Sequence, residues 1–278
     1  MSLSGYETFG EAGCLVYLAD CLDFMRAVPE GSVACVFADP PYRLSGGGKT
    51  VRSGEVASVD KGDWDRSLGS FRADHEFNLA WLREARRVLR PGGALWASGT
   101  HHVLFSLGFA LQTLGFRVLS TVVWEKTDPP PNHYRTAFRH SHETLVWAAK
   151  PGARHTFNHD AVNAAVNGYG MPAPDAQLGT VWRIPHVPMS EKRLGRHPTQ
   201  KPLRLVRRAL LASTERGDLV LDPFAGSGTT AVACRELGRF FVGSEREREY
   251  AELAARRIRA TEPGYALTRL IRPEGDGG

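Results

Sequence analysis

Short apolar runs alternate with helix-period stretches at both ends of this chain, and that alternation admits few folds. Near the start, Cys14 to Leu18 reads as a strand ending at Ala19-Asp20, Cys21 to Ala27 as a helical turn, and Ser32 to Ala38 as a second strand. Asp74 to Arg90 reads as a helix, because Phe77, Trp81, Ala85, Val88 and Leu89 recur at helix spacing. Pro91-Gly92-Gly93 stops it. A strand (Ala94 to Ala97), a helix (His101 to Leu114) and two strands (Phe116 to Glu125, His142 to Ala148) follow. Toward the end come a helix from Pro202 to Ser213, the strand Leu219-Val220-Leu221 and a helix from Thr229 to Leu237. The strand Phe240 to Gly243 and a helix from Glu247 to Ala260 complete the series. This pattern specifies an α/β fold with a mostly parallel, doubly wound sheet covered on both faces.

The chain has 278 residues, enough for a sizeable core. Its 42% hydrophobic and 23% charged residues are ordinary for a soluble globular protein, and a net charge of +5 permits a polyanionic partner without demanding one. The four cysteines have no metal-ligand spacing and read as small buried hydrophobes. The N-terminus lacks a basic start and an apolar run, and the most apolar stretch, Leu104 to Trp124, is interrupted by Gln112, Gly115 and Arg117. No signal peptide, metal or membrane span is expected, and the expected location is the cytoplasm. Arg43 to Ser70 is polar and glycine-rich and reads as a mobile loop. Pro151 to Arg196 has weak periodicity, and about 127 to 196 reads as an insertion in a single domain.

Two strand ends carry the chemistry. The run Phe37-Ala38-Asp39-Pro40-Pro41-Tyr42-Arg43 breaks a buried strand with two prolines, which donate no backbone hydrogen bond and fix φ. Asp39 and Tyr42 are thereby expected at a rigid tip. The stretch Leu219 to Thr230, LVLDPFAGSGTT, is a strand, a tight glycine turn and a helix start, where a ligand can approach the backbone. The next strand ends at Glu245, placed as acids are that accept hydrogen bonds from ribose hydroxyls. Both tips lie at carboxyl ends of strands, where open sheets bind ligands.

Asp39-Pro40-Pro41-Tyr42, followed much later by Phe224-Ala225-Gly226-Ser227-Gly228, resembles the amino-methyltransferases of DNA that use S-adenosylmethionine. The order, hook first and glycine turn last, is that of their permuted β-group, and His197-Pro198-Thr199-Gln200-Lys201-Pro202 matches a third block of that group. The phrases SVDKGDWD (58 to 65), HEFN (75 to 78), TDPPPN (127 to 132) and HSHETLVWA (140 to 148) are similar to DpnII-type adenine methyltransferases. Those enzymes act on GATC, including on single strands. The likeness covers about 14 to 260 and is weakest over 150 to 190.

The resemblance implies catalytic roles for Asp39, Pro40, Pro41 and Tyr42. It implies cofactor contacts from Asp20, Cys21, Asp39, Lys201, Asp222, Phe224, Ala225, Gly226, Ser227, Gly228, Thr229 and Glu245. It further implies a target-recognition region within 127 to 196, a homodimer and a cognate restriction endonuclease. Arg135, Arg139, His140, His142, Lys192, Arg193 and Arg196 are candidate DNA contacts, able to fix register on phosphates. His197 reads as structural, and Arg204, Arg207 and Arg208 as surface.

The hook suits an amine. An exocyclic amino nitrogen has its lone pair delocalised into the base; acceptors on both its N–H bonds favour a pyramidal nitrogen and free that pair. The Asp39 carboxylate and Pro40 carbonyl can supply them, held rigid by the prolines. The Tyr42 face can stack on a base flipped out of the duplex. The expected reaction is N6-methylation of adenine in DNA. N4-methylation of cytosine is the nearest rival; methylation of RNA or of a protein amide, a nicotinamide oxidoreductase and an inactive DNA-binding protein are more remote.

Overall fold

A computed structural model describes residues 3–45, 49–52, 55–58, 61–129, 138–167 and 178–264. The chain runs β1 (Thr8–Glu11), β2 (Cys14–Leu18), α1 (Cys21–Ala27), β3 (Val33–Ala38), the hairpin β4 (Lys49–Arg52) and β5 (Glu55–Ser58), α2 (Phe71–Val88), β6 (Leu89–Gly99) and α3 (His101–Thr113). Then come β7 (Arg117–Glu125), β8 (His142–Ala149), α4 (His159–Asn167), β9 (Val181–Arg183), α5 (Leu203–Ser213), β10 (Leu219–Asp222), α6 (Thr229–Leu237), β11 (Phe240–Glu245) and α7 (Arg248–Arg259).

One nine-stranded sheet orders them β1-β2-β11-β10-β3-β6-β8-β7-β9. From β2 to β6 every neighbouring pair is parallel; β1 and β8 run antiparallel to their neighbours. Cys35 and Phe37 of β3 join a core beneath α5, α6 and α7 that includes Val206, Ala231 and Ile258. Val36 and Ala38 join a core with Phe24 of α1, Trp81 of α2 and Leu107 of α3. The sheet is therefore wound on both sides, as the alternation requires, and β3, covered on both faces, is buried along its whole length.

The placement that matters is β10 beside β3, parallel, with Val220 opposite Cys35 and Leu221 opposite Val36. The hook after β3 and the glycine turn after β10 leave adjacent strands at the same edge. Glu245 at the end of β11 and Asp20 after β2 follow along that edge. Because β8 is antiparallel to β6, its first residues, His142 and Glu143, come to this edge too.

Several local features differ from the sequence expectation. β1 pairs with β2 and was not foreseen. α2 starts at Phe71, since the Ser70 side chain accepts the Ala73 N–H and caps it there. The strand expected from Ala94 extends back to Leu89, with a register shift against β3 that absorbs Pro91-Gly92-Gly93. The 127–196 segment contributes α4 and the edge strand β9, parallel to β7. Arg208, expected on the surface, is 5% exposed, because its guanidinium lies 5.1 Å from the Trp182 ring centroid. Arg207 pairs with Glu236. Among the described residues no helix is long and apolar enough to cross a membrane.

Candidate active site

The glycine turn is built by its own sequence. Asp222, buried at the end of β10, accepts the Phe224 N–H at 2.9 Å and the Thr230 hydroxyl at 2.6 Å, closing the turn onto α6. Burial pushes the Asp222 carboxyl up to about 7. Gly226 and Gly228 take left-handed φ values of 50° and 73°, which glycine alone adopts without cost. A Cβ on Gly228 would sit 2.7 Å from the Ala254 Cβ of α7. Arg257, also on α7, is buried and donates to the Ser227 carbonyl at 2.7 Å and to the Thr229 hydroxyl at 3.0 Å. Gly228→Ala therefore adds backbone strain to a steric clash. It should lower unfolding stability by about 2–4 kcal/mol, read from the denaturant midpoint; a loss below roughly 0.5 kcal/mol would show the turn able to relax.

Glu245 ties the turn to the next strand. Its Oε2 accepts the Gly226 N–H and its Oε1 the Glu247 N–H, each at 2.9 Å, and burial raises its pKa. Each oxygen keeps a lone pair for a ligand hydroxyl. Asp20 caps α1, its Oδ1 accepting the Leu22 N–H at 2.8 Å, and is otherwise exposed. Cys21 beside it is buried, with its thiol pushed up to about 12.

These residues line one cavity of about 350 Å³, within the usual range for small-molecule sites. Asp20, Cys21, Asp39, Lys201, Asp222, Phe224, Ala225, Gly226, Ser227, Thr229 and Glu245 all border it, as do Trp64, His197 and Tyr250. Phe224 is held edge-on to Trp81, with ring centroids 5.5 Å apart. His197 lies between Trp64 at 6.0 Å and Tyr250 at 4.3 Å, and burial holds its imidazole at about 4. It is uncharged at neutral pH, in keeping with a structural wall residue.

The hook stands next to this cavity and is embedded in a charged network. Asp39 Oδ2 is 2.6 Å from Lys201 Nζ, and Asp39 Oδ1 accepts from the Ser98 hydroxyl of β6. Lys201 Nζ also lies 3.3 Å from Glu143 Oε2, while Lys126 Nζ is 2.8 Å from Glu143 Oε1. Two carboxylates and two ammonium groups thus neutralise one another, which is the condition for burying them. Burial alone would raise Glu143, but Lys201, Lys126 and the Tyr42 hydroxyl outweigh it and hold the carboxyl at about 2. Burial likewise opposes the charge on Lys201, yet Asp39 and Glu143 raise its pKa.

Tyr42 departs from the sequence expectation. Its ring is not presented at an exposed tip; the residue is 8% exposed, and its hydroxyl turns inward. Oη lies 2.8 Å from Asp39 Oδ1, 3.0 Å from Glu143 Oε2 and 3.2 Å from Ser98 Oγ. Burial and the two carboxylates raise its pKa well above the ordinary phenol value. Lys201 borders the cavity where the cofactor contact is expected and is in addition paired with Asp39 and Glu143, partners the sequence did not show. Sequence reasoning missed Ser98, Lys126 and Glu143 around the hook. Glu143 and Trp64 stood in phrases shared with a family, without a role.

Among the candidate DNA contacts, Arg139, His140, His142, Arg193 and Arg196 are exposed and Lys192 is half-buried. Arg135 lies outside the described residues. His140 stacks on His101, with centroids 4.9 Å apart.

An open sheet with a glycine turn, a ribose-type acid and a neighbouring acid-proline hook at one edge defines the class of nucleoside-dependent group transferases. The comparisons narrow it: the DNA methylase model for N6 and N4 amino-methylation matches residues 33–256, and the chain belongs to that family. It is 44% identical over 244 residues to the Type II methyltransferase M2.DpnII of Streptococcus pneumoniae, covering 87% of this chain and 88% of the relative. It is 41% identical over 264 residues to M2.MboI of Moraxella bovis, covering 95% and 94%. The fold matches the M1.HpyAVI–S-adenosylmethionine complex with a TM-score of 0.62 at 24% identity, covering 87% of this chain and 98% of that one. The chain is a DNA methyltransferase of that family.

Proposed function

We propose that the chain methylates the exocyclic N6 of adenine in DNA, with Asp39, Pro40, Pro41 and Tyr42 as the reacting-base site. The observation that carries this reading is the parallel pairing of β10 with β3, which sets the hook beside the glycine-turn cavity. The cavity suits the cofactor: Gly226 leaves its wall without a Cβ beside His197, and Glu245 has free acceptor capacity for two ribose hydroxyls, while Gly228 packs the turn against Ala254 of α7 and does not border the cavity. Asp20, Cys21, Phe224 to Thr229 and Glu245 would hold it. When bound, S-adenosylmethionine supplies an electrophilic methyl group on a sulfonium.

The chain's own residues prepare the amine. Asp39 accepts one amino N–H and the Pro40 carbonyl the other, so that the nitrogen lone pair is released from the ring. Lys201 and Ser98 fix the carboxylate, and the prolines fix the carbonyl, so neither has to reorganise. The amine becomes acidic only as it gains the methyl group; its proton then leaves to Asp39. In this reading Tyr42, anchored through its hydroxyl and covered in the free protein, stacks on the flipped base once bound DNA displaces the side chains over its ring. On the same reading Lys192, Arg193, Arg196, Arg139, His140 and His142, of which all but the half-buried Lys192 are exposed, contact phosphates of the DNA.

In this reading residues 127–196 contain the target-recognition region, the sequence recognised is GATC, and single-stranded DNA is also a substrate. The enzyme works in the cytoplasm as a homodimer alongside a restriction endonuclease. The test incubates the protein with labelled S-adenosylmethionine and DNA of mixed sequence, then separates the nucleosides. Label is expected in N6-methyladenine; label in N4-methylcytosine would replace the adenine assignment, and label only on RNA or protein would overturn the reading.

A further inference from the structure

One buried acid outside the hook and the cavity wall is bonded to the segment that joins them. Asp65 is 1% exposed. Its Oδ1 accepts the Arg43 backbone N–H at 2.9 Å; its Oδ2 accepts the Leu44 N–H at 3.2 Å and the Ser45 hydroxyl at 3.0 Å. The Ser45 N–H donates back to the Asp65 carbonyl at 3.2 Å, and the Lys61 N–H to Ser45 Oγ at 2.8 Å. The Arg43 guanidinium spans the same junction, donating to the carbonyls of Trp64 at 3.3 Å and Arg66 at 2.8 Å. Residues 43–45 and 61–66 are thus fastened side by side.

Two functional elements hang from this junction. Arg43, directly after Tyr42, is the only non-glycine residue with positive φ among the described residues, at 58°. A side-chain-bearing residue stays there only when its surroundings hold it. On the other strand of the junction, Trp64 borders the cofactor cavity and stacks against His197, and Lys61 Nζ lies 6.0 Å from the Tyr42 ring centroid.

We propose that Asp65 is a positioning residue for methyl transfer: its carboxylate locks Arg43 in the left-handed turn that aims Tyr42 at Asp39, and the same contacts seat Trp64 against the cofactor cavity. This rests on Asp39 to Tyr42 being the amine-binding hook. A carboxylate suits the task because it only accepts, and three donors converge on it. An asparagine would present its NH2 to one of them.

The test compares Asp65→Ala, Asp65→Asn, Arg43→Gly and the double variant Asp65→Ala/Arg43→Gly. Single-turnover methyl transfer is measured at saturating cofactor and DNA, per active site titrated by cofactor binding. Asp65→Ala should slow transfer by about 10- to 100-fold, with DNA affinity held within about twofold and Asp65→Asn intermediate, since small misalignment costs on that scale. Glycine adopts positive φ without being held, so the double variant should be faster than Asp65→Ala alone. A native transfer rate in Asp65→Ala, or losses that simply add in the double variant, would overturn the proposal. Asp39→Ala run in parallel separates the two readings: if it is inactive while Asp65→Ala is native, only the role of Asp65 falls; if it is active, the hook falls first.

Discussion

Asp39→Ala is expected to bind S-adenosylmethionine almost as well as the parent chain and to transfer its methyl group about a thousandfold more slowly, or less. The size follows from losing a preorganised acceptor at the reacting nitrogen, an effect on the order of 10²–10³ for a single polar group in an enclosed site. Cofactor binding should survive because its contacts are spread over the strand ends of β2, β10 and β11, with Glu245 and the glycine turn bonded to each other and not to Asp39. Lys201 would lose its 2.6 Å partner but keep Glu143 at 3.3 Å, so its ammonium is not stranded. Calorimetric cofactor titration beside single-turnover transfer checks both halves. Transfer within tenfold of the parent would remove Asp39 from the mechanism, and a lost cofactor site would make it a binding residue instead.

Glu143→Ala is expected to cost the most stability. Glu143 lies between Lys126 at 2.8 Å and Lys201 at 3.3 Å, in a site where it is 9% exposed. Removing it leaves two inward-facing ammonium groups, one with no other carboxylate partner among the described residues, and breaking a buried pair costs about 3–5 kcal/mol. The melting temperature should fall by roughly 10 °C. A pH signature goes with it. The folded carboxyl is held at about 2 against 4.5 in the unfolded chain. A depressed acid contributes stability that is complete above the unfolded value and disappears as pH falls toward the folded one. The parent should therefore lose on the order of 3 kcal/mol between about pH 5 and pH 2 through this group, and Glu143→Ala should lack that part of the acid limb. Superimposable acid limbs for parent and variant would show that the network does not stabilise the fold.

What could be read along the chain was whatever contiguous residues determine. Helix period, strand runs stopped by proline, and the glycine turn are local. They predicted the wound sheet, and they placed Asp39, Phe224 to Gly228 and Glu245 at strand ends. The long-range environment of those residues was not legible. Ser98 and Glu143 reach the hook, and Lys126 reaches Glu143, because β6, β8 and β7 lie side by side, and no spacing in the sequence encodes that adjacency. For the same reason Tyr42 read as exposed: proline shows that a strand breaks, not what the next side chain will meet. Arg208 read as surface because the Trp182 that covers it comes from β9, a three-residue strand too short to have a period.

The amino-acid sequence by itself determined the α/β class, the two chemical tips and the family, since each rests on short-range sterics or on residues in fixed order. The tertiary structure alone decided that the tips face one cavity, that a neutral four-charge cluster grips the hook, and that Asp65 fastens the chain behind it. Those are properties of burial and of Coulomb interaction across strands, and they exist only once the sheet has put distant residues in contact.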